Sequence, residues 1–360
     1  MNDLFDPVVL GDLKLANRIV MAPMTRSRAE VGDVPGQLAV EYYRQRAEAG
    51  LIIAEGTQPS PAGKGYCRTP GIYSEAQVEG WSKVAEAVHA RGGRIVVQLM
   101  HCGRVASRIN KDDDSEVVAP SAIAATGEIF TDVSGLVPME MPRALDLSEI
   151  PLVVAEYAKA AKNAVKAGLD GVELHCASGY LPMQFLSTGS NLRTDQYGGS
   201  AANRVRFTVE VLEAVGAAIG AGRVGFRICP GFPFNDVHDE DPEETYATLL
   251  DATRSLGLSY LHLINLPLPN VDGLAVVKRH WRGPLILNNE FDRERAIAVL
   301  GAGTAECISF GRPFIANPDL VDRLRLDRPL APFDPATLYS AGAAGYNDYP
   351  IYAEGGAHVA

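Results

Sequence analysis

Apolar residues gather along this chain in eight short, β-rich runs, at residues 19–23, 51–57, 94–101, 171–175, 224–230, 260–265, 285–289 and 307–311. Near-continuous stretches such as Ile95-Val96-Val97 suit strands buried on both faces. Between most of the runs the spacing becomes helical. Residues 75–90 place Val78, Trp81, Val84, Ala85 and Val88 on one face and stop at Gly92-Gly93. A second helix, 148–167, opens with Ser148 as its cap and Pro151 near the first turn, and ends at Gly168. A third covers 203–219 and stops at Gly220, Asp241 caps a fourth that runs to Leu256, and Asp292 opens a fifth that runs to Leu300. Ahead of Ile19, Leu10-Gly11-Asp12-Leu13 reads as the turn of a small hairpin.

This alternation predicts an α/β fold, a single (β/α)8 TIM barrel over residues 1–360 with an N-terminal hairpin. An open doubly wound sheet would require a Gly-rich first turn, which is missing. About 250 residues make a bare barrel, so the rest is insertion. Residues 104–147, directly after the third strand, hold Asp112-Asp113-Asp114 and then Pro120, Gly127, Gly135, Pro138 and Pro142. A structureless loop of that length is disfavoured, so a hairpin or lid over the barrel mouth is expected. A second excursion, 186–200, follows the fourth strand, and the C-terminal segment 342–360 carries Tyr346, Tyr349, Pro350 and Tyr352, enough to pack in part.

Composition narrows the function. The 360 residues include 44 Asp and Glu against 33 Lys and Arg, a formal charge of -11, which argues against a nucleic-acid partner. Five scattered cysteines without a C-x-x-C pair argue against a disulfide framework or a zinc site. No apolar run approaches the roughly 20 residues of a membrane span, and the N-terminus lacks the pattern of a signal peptide, so a cytoplasmic monomer or homodimer is expected. Gly301-Ala302-Gly303 follows a helix and lacks the third glycine of a dinucleotide fingerprint, and Gly63-Lys64-Gly65 is not a P-loop.

The strand ends carry the chemistry. In order they present Pro23-Met24-Thr25-Arg26, Glu55-Gly56-Thr57, Gln98 with Met100-His101, His175 with Ser178 and Tyr180, Arg227, Asn265, Asn288-Asn289 and Phe310-Gly311-Arg312. Gln98 and Arg227 interrupt apolar strands and must face something polar. Several of these segments resemble the old yellow enzymes, in particular the bacterial N-ethylmaleimide reductase and ene-reductase group. They are Asn17-Arg18-Ile19-Val20-Met21-Ala22-Pro23-Met24-Thr25-Arg26, Glu41-Tyr42-Tyr43-Arg44-Gln45-Arg46-Ala47, Val97-Gln98-Leu99-Met100-His101, Gln184-Phe185-Leu186-Ser187, Asn191-Leu192-Arg193-Thr194-Asp195-Gln196-Tyr197-Gly198-Gly199-Ser200, Phe310-Gly311-Arg312-Pro313-Phe314 and Gly345-Tyr346-Asn347-Asp348-Tyr349-Pro350.

That resemblance implies FMN held non-covalently at the mouth, reduced by NAD(P)H, with hydride passed from N5 to the β-carbon of an electron-poor alkene. It implies that Thr25 bonds flavin O4, Gln98 the pyrimidine edge, and Arg227 the N1/O2 region. Backbone at Pro23, Met24 and Gly56 lines the ring; Phe310, Gly311 and Arg312, with backbone around Asn289, cradle the phosphate. Tyr180 matches the family's proton donor to the α-carbon, and Tyr346 is expected to reach the mouth. The chain departs from the family at two positions. The substrate-activating pair is His175 with Ser178, where relatives carry a second His or an Asn, and Met100 stands where many carry a tryptophan. The leading expectation is an ene-reductase acting on enones, maleimides and nitroalkenes. The alternatives are a reductase for a dedicated bulky metabolite or for nitrate esters and nitro compounds, or a flavin-binding protein with little catalysis.

Overall fold

The computed structural model describes residues 2–111 and 115–352, so the acidic run 112–114 and the last part of the C-terminal segment lie outside the described residues. Eight parallel strands close into a barrel in chain order: Ile19–Met21, Leu51–Thr57, Ile95–Leu99, Gly171–Cys176, Val224–Ile228, Tyr260–Ile264, Leu285–Asn288 and Cys307–Phe310. The fold is the expected TIM barrel. Axis-facing residues alternate with residues that face the surrounding helices. Register sets Gln98 beside Glu173, and His175 beside Arg227, which in turn lies beside His262.

The hairpin, Val8–Leu10 paired with Leu13–Leu15, closes the bottom of the barrel. Leu10, Leu13 and Leu15 pack against Val20, Leu51, Ile53, Val96, Tyr260 and Ile286 from the barrel interior. Gly11 takes φ +56 at the turn, and a Cβ there would run into the Gly222 carbonyl. Leu10 is fully buried, so Leu10→Ala is expected to cost about 2–5 kcal/mol. A denaturant titration checks this, and an unchanged midpoint would show that the plug does not support the barrel.

Helix signals held where a local side chain does the capping. Ser74 forms a reciprocal capping box with Gln77 at the head of Glu75–His89. Asp241 accepts from Glu244 N at the head of Pro242–Thr253, and Asp292 from Arg295 N at the head of Arg293–Gly301. Ser148 is a correction. The helix is Ile150–Lys166 with Glu149 as N-cap, and the Glu149 carboxylate is taken up by Arg143 and the Asp146 amide. The expected 203–219 helix is two pieces, Ala201–Arg204 and Arg206–Ile219, the first capped by Ser200. The helices Gln37–Gln45 and Gly273–His280 went unpredicted.

The 104–147 insertion does form a hairpin, Glu128–Thr131 against Gly135–Pro138. It is tied to the loops after the fourth and fifth strands. Leu192 N donates to Ser121 Oγ at 2.9 Å, Thr126 N to Asp236 Oδ2 at 3.1 Å, and Arg104 reaches the Asp236 carbonyl. Met139 of the insertion packs against the buried cluster of Met100, Cys102, Val105 and Tyr180, so the insertion forms one wall of the mouth. Among the described residues, no helix is long and apolar enough to cross a membrane.

Candidate active site

The fourth strand delivers His175 at its upper end, and the chain then turns sharply. Ser178 and Gly179 both take positive φ, 57° and 74°, and Asn235 Nδ2 holds the Ser178 carbonyl at 2.8 Å. That double left-handed step sends Tyr180 back over the mouth as the N-cap of Leu181–Leu186. The His175 and Tyr180 rings meet edge to face, centroids 4.9 Å apart. The Tyr180 hydroxyl donates to Tyr66 Oη at 3.1 Å, and the two rings are perpendicular.

The site holds its protons tightly. Burial, reinforced by the neighbouring Tyr66 phenol, pushes the Tyr180 hydroxyl well above its ordinary range. Burial, helped by the Arg227 cation, pushes the His175 imidazole well below its own, so His175 is neutral near pH 7. Among the described residues its Nδ1 is buried without a partner.

Below this pair the axis-facing side chains are polar. Gln98 Nε2 donates to Glu173 at 2.8 Å, and Arg227 donates to Asn288 Oδ1 at 3.2 Å. Among the described residues Arg227 Nε is buried with no partner, an orphan donor that a bound acceptor would satisfy. Across the barrel, Met24 and Gly311 face each other at adjoining strand ends; a Cβ on Gly311 would find Met24 Sδ at 3.6 Å. On the second strand a bulge between Ala54 and Gly56 brings Gly56 level with Gln98, and Met100 occupies the space a Gly56 side chain would need. The Pro23–Thr25 backbone is steadied from below, where Arg26 N donates to Glu55 Oε2 at 3.0 Å. Burial raises the Glu55 carboxyl to about 7, although that bond and the Arg26 charge oppose the rise. Arg312 is largely exposed at the rim, 3.5 Å from Glu290. These residues fit FMN: Gln98 and Arg227 offer an amide and a guanidinium to the pyrimidine end, Gly311 leaves a flat wall, and Arg312 at the rim would exchange its exposed Glu290 partner for a phosphate.

Two expectations shift. Tyr346 does not reach the mouth. Its ring is fully buried, stacked on Tyr42 at 4.1 Å with the Arg26 and Arg28 guanidinium groups against it, because those arginines bind the backbone carbonyls of the C-terminal segment at Leu338, Gly342 and Gly345. The Phe310 ring lies in the helix-side core, so only its backbone is available to a ligand. Tyr66 was missed as a site residue, and Asn288, read only as a strand end, is the side chain that accepts from Arg227. The rule that flagged Gln98 and Arg227, a polar residue in an apolar strand, applies equally to Glu173 and His262.

Ser178 departs from the family pattern and also sits in a conformation that Asn tolerates better than Ser. Ser178→Asn is therefore expected to raise the melting temperature slightly. Its amide adds a donor beside His175, tightening a ligand whose oxygen accepts from His175 by about 1 kcal/mol, roughly fivefold in Kd. Equal dissociation constants by flavin-absorbance titration would show that position 178 does not reach the ligand.

Comparison with known proteins agrees with this fold. The family model described as NADH:flavin oxidoreductase / NADH oxidase matches residues 3–331. The chain is 42% identical to a probable flavin mononucleotide-dependent alkene reductase of Leishmania infantum, covering 97% of each chain. It is 40% identical to 12-oxophytodienoate reductase 1 of Oryza sativa subsp. japonica, over 98% of this chain and 93% of that protein. Among solved structures, morphinone reductase in complex with tetrahydroNAD superposes with a TM-score of 0.95 at 46% identity, covering 100% of both chains. The old yellow enzyme homologue from Zymomonas mobilis gives 0.94 at 40% identity, over 97% of this chain and 100% of that one. The closed barrel is thus shared with these solved structures, and the chain belongs to the NADH:flavin oxidoreductase family, the old yellow enzymes, which use FMN with a reduced nicotinamide as reductant.

Proposed function

We propose that the protein is an ene-reductase that saturates the C=C bond of alkenes activated by a carbonyl, imide or nitro group. When bound, FMN supplies the hydride for the β-carbon and is recharged by NADH or NADPH. The chain's own residues supply the rest. His175, neutral and with an unpartnered nitrogen, donates to the activating oxygen as negative charge gathers there, the part played by an oxyanion-hole donor. Tyr180 delivers the proton to the α-carbon. Its raised pKa suits an acid that must not ionise before carbanion character develops on the substrate. Tyr66, bonded to the Tyr180 hydroxyl, is the next protic group from which the phenol can be replenished. In this reading Thr25, Gln98 and Arg227 hold the ring, backbone at Pro23, Met24 and Gly56 lines it, and backbone at Asn289, Phe310 and Gly311 with the Arg312 side chain holds the phosphate.

The observation that carries the reading is the juxtaposition of His175 and Tyr180 at the strand ends, with Arg227 level with His175 and Gln98 two residues lower in the register. A second reading, a dedicated larger substrate, is favoured by the short Ser178 side chain and the flexible Met100, which leave an adaptable pocket. Coupled NAD(P)H oxidation with product analysis on cyclic enones, maleimides, nitroalkenes, nitrate esters and polycyclic enones tests both. High kcat/KM on small cyclic enones supports the general enzyme, and turnover confined to polycyclic substrates supports the dedicated one. No NAD(P)H oxidation with any of them would contradict both.

A further inference from the structure

Glu173 and His262 lie at the barrel axis with side chains 0% exposed, where barrel interiors ordinarily stack bulky branched residues. Neither takes part in the chemistry proposed above. Glu173 Oε1 accepts from Gln98 Nε2 at 2.8 Å, Glu173 Oε2 lies 2.8 Å from His262 Nδ1, and His262 Nε2 lies 2.8 Å from Ser309 Oγ. The network thus joins the third, fourth, sixth and eighth strands across the barrel, with Gln98 and Glu173 below Arg227 in the register and His262 level with it.

Donor and acceptor roles follow from chemistry. A carboxylate only accepts, so Gln98 must turn its NH2 group towards Glu173 and leave its carbonyl oxygen free. Burial, helped by the Arg227 charge and opposed by Glu173, lowers the His262 pKa, so His262 is neutral. Its Nδ1–H then donates to Glu173 and its Nε2 accepts from the Ser309 hydroxyl. The whole network carries one negative charge, and the cation that feels it is Arg227. The imide edge of an isoalloxazine presents two carbonyl acceptors flanking one N–H, and a Gln98 held this way offers its carbonyl to that N–H.

Resting on the reading that Gln98 and Arg227 meet the pyrimidine end of FMN, we propose that Glu173 is a positioning residue for the flavin. It orients the Gln98 amide through a direct hydrogen bond and offsets the Arg227 charge from below. The anionic reduced flavin is then less stabilised than Arg227 alone would make it, which keeps the bound cofactor a stronger hydride donor.

The test uses the FMN-loaded enzyme and Glu173→Gln. This variant keeps shape and can keep both hydrogen bonds if His262 changes tautomer, but it removes the charge. Its preference for reduced over oxidised FMN is expected to rise about tenfold, a midpoint potential about 30 mV higher for the two-electron couple. Glu173→Asp keeps the charge but falls short of Gln98, so both redox forms should bind about tenfold more weakly with the potential unmoved. A merely structural role predicts lower stability in both variants and no potential change in either. A Glu173→Gln potential equal to wild type overturns the inference. If Glu173→Gln does not accumulate folded, Glu173→Asp decides, and undiminished FMN affinity overturns the proposal. A wild-type protein that binds no FMN would instead overturn the underlying assignment of Gln98 and Arg227.

Discussion

A Tyr180→Phe enzyme is expected to accept electrons from NAD(P)H at close to the wild-type rate and to pass them to a cyclic enone about 10²–10⁴ times more slowly. The phenylalanine keeps the edge-to-face contacts with His175 and Tyr66 and its place in the buried cluster with Met100, Cys102 and Val105. Only the hydroxyl, and with it the hydrogen bond to Tyr66, is lost. Stopped-flow traces separate the two half-reactions. If enone turnover survived at the wild-type rate, the proton would have to come from Tyr66 or solvent. The pH dependence has a definite sign. Because burial raises the Tyr180 pKa, the proton-delivering form persists through neutral and mildly alkaline pH, and the oxidative half-reaction should show no loss from this group below about pH 10.

Arg227→Leu is expected to act at the other half of the site. Hydrogen bonds from a charged group contribute about 1.5–3 kcal/mol, so FMN affinity should fall roughly 10- to 100-fold. The midpoint potential should fall as well, since the reduced anion loses its cation. Glu173 would also be left as a buried carboxylate without its countercharge, a situation that typically costs about 3–5 kcal/mol. Isothermal titration of apoprotein with FMN and thermal unfolding read the two effects separately. Retained affinity and stability would mean that Arg227 serves neither role.

The barrel was legible because its strands, buried on both faces, produce apolar runs that local spacing alone identifies, and the hairpin because Leu10-Gly11-Asp12-Leu13 is a local turn signal. Asp241 and Asp292 were readable as caps for the same reason. Ser148 was not, because Arg143, close in space to Glu149, decided how that helix starts. Tyr346 failed similarly. Its position depends on Arg26, Arg28 and Tyr42, more than 300 residues away in sequence, which bind the C-terminal segment and stack the ring. At the site, His175, Tyr180, Gln98 and Arg227 were found at strand ends and in apolar strands. Tyr66 escaped because it sits in a loop after the second strand, and its partnership with Tyr180 exists only once the barrel closes. Glu173 carried the same signal as Gln98, a polar side chain in an apolar strand, and marks how far that rule extends.

The central claim is tested most directly by reducing the FMN-loaded enzyme anaerobically with one equivalent of NADH or NADPH and mixing it with 2-cyclohexenone in a stopped-flow spectrometer. The account predicts that the oxidised flavin absorbance returns in a phase whose rate rises with enone concentration, with one cyclohexanone formed per flavin. A flavin that stays reduced until oxygen is admitted, or that reoxidises without forming the saturated ketone, would contradict it.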